Sequence, residues 1–299
     1  MGTWQHILLV VFSVPGFLIA QNNTNSVKEK ANGEASYVLA DISYINDAVF
    51  MGRRDSVAAP YVFPSIGYYD KSGFYVDASV SYLVGSEENR VDLFLGSVGY
   101  ITNGEKLSGG ISGTAYFFND ASYNVKSEVV ADLSGFLSYD LKVLEVSAMV
   151  STYFNNGGSP DIFTGLMLDR IFYSSDKSFL INPSITMYAG SQYFYQEYYS
   201  TSRLGNRKGQ GRGTMDSEPA VATTVEIQEA SEFNILNVEI SLPLQYYHKQ
   251  FIFSFTPVLA LPQTSATITT EDSVISEDLD STFYFSAGIG YWFNTKKQP

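Results

Sequence analysis

From Phe74 to Val84 the chain reads FYVDASVSYLV, and apolar and polar side chains exchange places at almost every step. Successive side chains of a strand point in opposite directions. Phe74, Val76, Ala78, Val80, Tyr82 and Val84 therefore share one face, and Tyr75, Asp77, Ser79, Ser81 and Leu83 share the other. The same two-faced pattern recurs down the chain. Leu107, Ile111, Ala115 and Phe117 oppose Ser108, Ser112 and Thr114, and Val129, Ala131, Leu133, Leu137 and Tyr139 oppose Glu128, Asp132, Ser134 and Ser138. Val146, Ala148, Val150 and Phe154 oppose Glu145, Ser147 and Ser151, and Leu236, Val238 and Ile240 oppose Asn237, Glu239 and Ser241. Adding the alternating strands that start near Phe179 and Thr282 and the less regular stretches 36–51, 61–69, 91–101, 162–173 and 251–261 gives about twelve expected strands and no helix between them. The register is least defined across 162–173, where Asp169 and Arg170 put a charge on either face.

A soluble β-sandwich also alternates, with its polar face to water. Here the segments run to about 11–13 residues, against five or six in ordinary sheets and about ten in membrane strands. The connections alternate in length as well. DKSG, TNGEK, SSDK and YHKQ are short, whereas GRRDSVAA, NDASYN and NNGGSPD are longer, and two joins, about 195–232 and 263–281, are outsized. Short turns at one end and long loops at the other are the habit of membrane barrels. Clusters such as Tyr68–Tyr69, Tyr116 to Phe118 and Tyr246–Tyr247 lie near strand ends, where rings with a polar tip suit the headgroup level. One phrase occurs twice, DKSGFYVDAS at Asp70 and DKSFLINPS at Asp176. Shared turn chemistry explains it better than duplication of a half-barrel, because Asp and Ser favour tight turns and the neighbouring strands do not repeat.

The N-terminus carries ILLVVFSVPGFLIA from Ile7 to Ala20, too short to span a bilayer as a helix and of the length of a signal-peptide core. The expected organisation is a signal peptide over 1–20, a short periplasmic segment over 21–35, a transmembrane barrel over 36–293 and a periplasmic tail over 294–299. An even strand count leaves both termini in the periplasm. The charge is 18 positive against 31 negative, a net of −13, which argues against nucleic acid. With no cysteine there is no disulfide or thiolate site.

The closing segment STFYFSAGIGYWF alternates and ends on Phe293. With it, the chain resembles a bacterial outer-membrane β-barrel protein: all-β, a single closed antiparallel up-and-down barrel of about 12 strands, from a Gram-negative envelope. The resemblance implies contact with outer-membrane lipid and lipopolysaccharide, and a terminal strand, marked by Phe293, that the barrel-assembly machinery reads.

If the apolar face meets lipid, the inward set includes Asp41, Asp77, Asp92, Glu128, Asp132, Glu145 and Glu239, with Lys126 as the counter-charge. An acidic lumen concentrates cations. The expected function is a small passive pore or envelope-structural barrel with a cation-preferring lumen, open or plugged, passing small polar or cationic solutes. The alternative is a surface-exposed binding or adhesion barrel acting through its long outer loops, one of which holds Arg203, Arg207, Lys208 and Arg212 among glycines. An outer-membrane hydrolase is the weakest reading: after loss of the leader only His248 remains, in a short turn, and G-x-S-x-G is absent. No catalytic residue, metal site or cofactor is expected; the acidic run at Glu271, Asp272, Glu277, Asp278 and Asp280 lacks a calcium-loop pattern.

Overall fold

The computed structural model describes residues 36–55, 58–85, 89–156, 158–199, 226–269, 274–277 and 279–294. The leader, the 21–35 segment and most of the tail lie outside the described residues, as do Arg203, Arg207, Lys208 and Arg212.

Among the described residues, eighteen strand segments form. The first eight are β1 (Tyr37–Ile45), β2 (Tyr61–Tyr69), β3 (Phe74–Val84), β4 (Asn89–Asn103), β5 (Leu107–Phe118), β6 (Val129–Asp140), β7 (Glu145–Asn155) and β8 (Asp161–Asp169). They pair with their sequence neighbours, antiparallel throughout. The next three are β9 (Phe172–Tyr173), β10 (Phe179–Ile181) and β11 (Ser184–Gly190), followed by the short helix α1 (Tyr193–Tyr198) and β12 (Glu226–Ile227). Then come β13 (Asn234–Ser241), β14 (Leu244–His248), β15 (Phe251–Pro262), β16 (Thr267–Thr269), β17 (Val274–Ser276) and β18 (Thr282–Asn294).

Three barrel staves are interrupted. β8 and β9 are halves of one stave, as are β10 and β11, split by Asn182–Pro183, and β13 and β14, split by Leu242–Pro243. A proline cannot donate to the ladder, so the break falls there. β15 pairs with both β13 and β14, and β18 pairs with β15 on one side and β1 on the other, from Tyr37 opposite Asn294 to Ile45 opposite Ser286. The sheet is therefore a closed antiparallel barrel of twelve staves, and β12, β16 and β17 form a separate small sheet.

Closure turns the alternation into an inside and an outside. Ile42, Ile66, Val76, Val98, Ile111, Leu133, Val150, Leu166, Ile185, Ile240, Phe253 and Ile289 project outward and stay exposed, with Asp41, Asp77, Ser112, Asp132, Ser151 and Glu239 buried on the inner face. Rings edge the outer band: Tyr68, Phe74, Tyr100, Tyr139, Tyr246 and Phe293 near the short turns, and Tyr44, Tyr82, Phe117, Phe154 and Phe283 toward the long loops. Arg170 points outward, but at the stave's short-turn end, where it donates to the Lys142 carbonyl.

The doubled phrase marks two turns of one chemistry. Asp70 Oδ1 accepts from the Ser72 N–H at 2.9 Å and from Ser72 Oγ at 2.6 Å. Asp176 accepts from Ser174 Oγ at 2.6 Å, from Ser178 Oγ at 2.8 Å and from the Ser178 N–H at 3.2 Å. These bonds hold both carboxyls below the usual carboxylate range. The turns part at the left-handed position, which is Gly73 (φ 102°) in the first and Lys177 (φ 55°) in the second. A Cβ on Gly73 would stand 2.1 Å from the Ile101 carbonyl oxygen, so only glycine fits there.

Four expectations need correction. The first strand ends at Ile45 instead of reaching Met51, and the rest of that stretch turns into the barrel. Val129 and Leu236, expected outward, are buried inside, because bulges at Val130 and Leu236 flip the local face. Of the aromatics expected at strand ends, Tyr69 and Tyr116 point inward. A short helix, α1, stands in what was expected to be loop.

Leu133→Arg, on the outer face near the middle of β6, should destabilise the barrel by about 2–4 kcal/mol in urea titrations in lipid vesicles, the cost of a cation facing hydrocarbon. Unchanged stability would show that this face does not meet lipid.

Candidate functional site: the lumen and its inward loop

The inner wall satisfies its acids with tyrosine hydroxyls more than with cations. Asp92, the extra residue of a bulge in β4, accepts from Tyr61 Oη and Ser122 Oγ, both at 2.6 Å, and from Arg90 Nε at 3.1 Å. Asp132 accepts from Tyr116 Oη and Ser134 Oγ, each at 2.6 Å. Tyr69 Oη donates to Asp77 at 3.3 Å, and Glu239 accepts from Asn237 Nδ2 at 2.9 Å and Tyr284 Oη at 3.4 Å. Buried polar groups need partners, and in an interior short of bases a phenol is the donor that also fills space.

Of the expected lumen residues, Asp41, Asp77, Asp92, Asp132, Glu145, Glu239 and Lys126 are all buried within the barrel. They are not brought to one place. Asp41 and Asp77 line the β1–β3 wall, Asp92, Asp132 and Lys126 lie toward the long loops, and Glu145 opens β7 at the short-turn end. Glu128 is half-buried in the connection before β6, outside any strand. Lys126 is not the lone counter-charge. Arg53 is also buried, and Arg90 pairs with Asp92. His248 faces outward at the short-turn end, stacked on Tyr246 with ring centroids 6.4 Å apart.

The feature that sequence reasoning missed is the connection between β1 and β2. It folds into the barrel as a tight hairpin. The Phe50 N–H donates to the Arg53 carbonyl at 2.8 Å and the Arg53 N–H to the Phe50 carbonyl at 2.9 Å. Met51 (φ 51°) and Gly52 (φ 79°) both carry positive φ, as a two-residue turn of this hand requires. A Cβ on Gly52 would lie 3.0 Å from Asn237 Oδ1 and 3.1 Å from Pro262 Cγ.

The tip reaches the far wall. Phe50 packs against Tyr153 of β7 and Phe163 of β8, both with centroids 5.6 Å away, and against Phe194 of α1 at 4.8 Å. Counted either way round the barrel, β7 is six staves from β1, so the loop crosses the lumen. Arg53 fastens it there: Nη2 donates to the Thr264 carbonyl at 2.7 Å, Nε lies 3.4 Å from Glu277, and the guanidinium sits 4.9 Å from the Tyr195 ring centre. Tyr195 Oη donates to Glu277 at 2.5 Å, and Tyr198 Oη donates to Asp55. Glu277, from the acidic run of the second outsized loop, thus helps to hold the hairpin. Helix α1 is positioned by Asp161, which accepts from the N–H groups of Tyr193 at 2.8 Å and Phe194 at 2.6 Å, satisfying donors that a helix start leaves unpaired. One apolar cluster joins Phe50 and Met51 to Leu93, Tyr116, Val125, Met149, Tyr153, Phe163, Tyr188 and Phe194, and fills the long-loop half of the lumen. The short-turn half holds a smaller cluster around Tyr37, Leu39, Tyr69, Ile252 and Trp292, with the Tyr37, Tyr69 and Tyr75 rings stacked in series.

A closed sheet with no open edge, an unbroken apolar exterior edged by rings and a polar interior belong together only in a membrane. This chain is a closed antiparallel β-barrel of the membrane-spanning kind. No family model matches it, and no curated protein does. Among solved structures it is similar to one described as "KdgM porin", at 10% identity over 85% of this chain and 98% of that one, with a TM-score of 0.45. It is also similar to the NanC porin, at 8% identity over 85% and 98% of the two chains with a TM-score of 0.46. A third is LpxR from Salmonella typhimurium, at 10% identity over 85% and 100% with a TM-score of 0.44. At such identities none of their activities passes to this barrel. Among the described residues, no group of three or more His, Asp or Glu is placed to hold a metal ion.

Tyr61→Phe should cost about 1–3 kcal/mol, because it strips one of three donors from the buried Asp92. Tyr68→Phe removes a similar bond, 2.9 Å long, to Asp70 in an exposed turn, and should stay within about 0.5 kcal/mol of wild type. Urea unfolding of both variants in lipid vesicles measures the difference, and equal losses would show that the inner tyrosine–acid pairs carry no special weight.

Proposed function

We propose that this barrel is a porin-like channel of the outer membrane that rests closed. In this reading the short turns and both termini face the periplasm and the long loops face outward, with residues 1–20 as the export signal. The observation that carries it is the hairpin Phe50–Arg53, lying across a lumen whose wall is written in serines, threonines and carboxylates. A purely structural barrel has no need of so polar a wall, and a free pore has no need of a loop clasped to three others. Small polar solutes, cations above anions, are the class that an acid-lined passage favours. The surface-binding reading keeps one supporting observation, since α1 and the β12–β16–β17 sheet build a folded platform from the two outsized loops at that end. No observation favours a hydrolase: His248 lies on the outer surface at the short-turn end, stacked on Tyr246.

The test is planar-bilayer recording of refolded protein. Wild type should conduct little, and removal of residues 48–55 should raise conductance with reversal potentials showing cation preference. A shortened barrel that stays silent, or that selects anions, would overturn the proposal.

A further inference from the structure

Lysine is almost never fully buried without a partner, yet Lys126 is 2% exposed and its ammonium has no hydrogen-bond acceptor among the described residues. What surrounds it is aromatic. Nζ lies 4.0 Å from the ring centre of Tyr116, 5.3 Å from that of Tyr153 and 5.5 Å from that of Phe50, all within the range of cation–π attraction. The carboxylate of Asp132, held by Tyr116 Oη at 2.6 Å, acts on the same charge. The backbone that delivers the lysine is fixed by its own turn: the Lys126 N–H donates to Asn124 Oδ1 at 2.9 Å, and the Val129 N–H donates to the Lys126 carbonyl at 3.0 Å. Two walls of the box belong to the barrel, on β5 and β7, and the third is the tip of the inward hairpin.

We propose that Phe50, Tyr116, Tyr153 and Asp132 form a subsite for an organic ammonium group, and that Lys126 occupies it as a tethered ligand while the barrel is closed. The box is built for a weakly hydrated cation on an alkyl stem. Three ring faces and one carboxylate suit such a group and serve a hard metal ion badly, because that would need six or more oxygens. When the hairpin and the Lys126 connection swing out, Tyr116, Tyr153 and Asp132 remain on the wall, and the passing solute they recognise is an aliphatic amine. The inference deepens the channel reading and rests on it for its physiological sense.

Replacing Lys126 by alanine leaves a space that propylammonium matches. The Lys126→Ala barrel, full length and refolded in detergent, should melt below wild type. Propylammonium should raise its Tm with saturable dependence on concentration, as a ligand binding only the folded state does. Neutral 1-propanol of the same shape should not, and wild type, whose box is filled, should not respond. Equal shifts from propylammonium and propanol, or none from either, would overturn the proposal. If the alanine variant does not fold, Lys126→Met keeps the stem and drops the charge. A lower Tm than wild type supports a box selective for the cation, and an equal or higher Tm refutes it. The conductance of the barrel lacking residues 48–55 does not depend on either result, so failure here leaves the channel reading standing.

Discussion

In hydrocarbon a backbone N–H or C=O has no water to turn to, and each must be paired within the protein. The seam between β1 and β18, in register over the whole of β1, is therefore the contact on which the rest depends. With it in place no edge is left, the lipid-facing side of each stave is apolar, and the acids of the staves are driven to the inner face. The acids of this chain lie inside because of that sorting. Having few bases there, the interior meets its carboxylates with phenols at Asp92, Asp132, Asp77 and Glu239.

The same sorting explains the inward loop. Residues 48–51 read Ala-Val-Phe-Met, too apolar to lie in water at a barrel rim, and the lumen's long-loop half offers Tyr153, Phe163 and Phe194 as partners. Burying this tip removes apolar surface from water and brings Arg53 down among Thr264, Glu277 and Tyr195. Elements from β1–β2, β5–β6 and both outsized loops meet in one cluster. The loop that crosses the lumen and the loops at its mouth are thus held by one set of contacts.

The staves were legible because their signal is local: a period of two needs only neighbouring residues. The inward placement of Asp41, Asp77, Asp132, Glu145 and Glu239 accords with that period, whereas Asp92, in phase with the outward Phe94 and Val98, is turned inward by its bulge. The bulges at Asp92, Val130 and Leu236 were not legible, since each depends on how a strand meets its partner, and they shift Val129 and Leu236 to the other face. The inward hairpin was hidden by the charges that follow it, Arg53, Arg54 and Asp55, which read as a surface loop. A hint lay in the unbroken apolar run before them. The tyrosines carried two roles, girdle and acid partner, that composition alone cannot separate: Tyr68 faces out and Tyr69, one residue later, faces in.

The most direct measurement of the sidedness behind this account is a scan of β7 by spin labels on single cysteines, simple in a chain that has none of its own. In lipid vesicles, positions 146, 148, 150, 152 and 154 should be open to dissolved oxygen and closed to a water-soluble nickel complex, with 147, 149, 151 and 153 shielded from both. A water-accessible even series would contradict the account, because the apolar face would then be packed against something other than hydrocarbon.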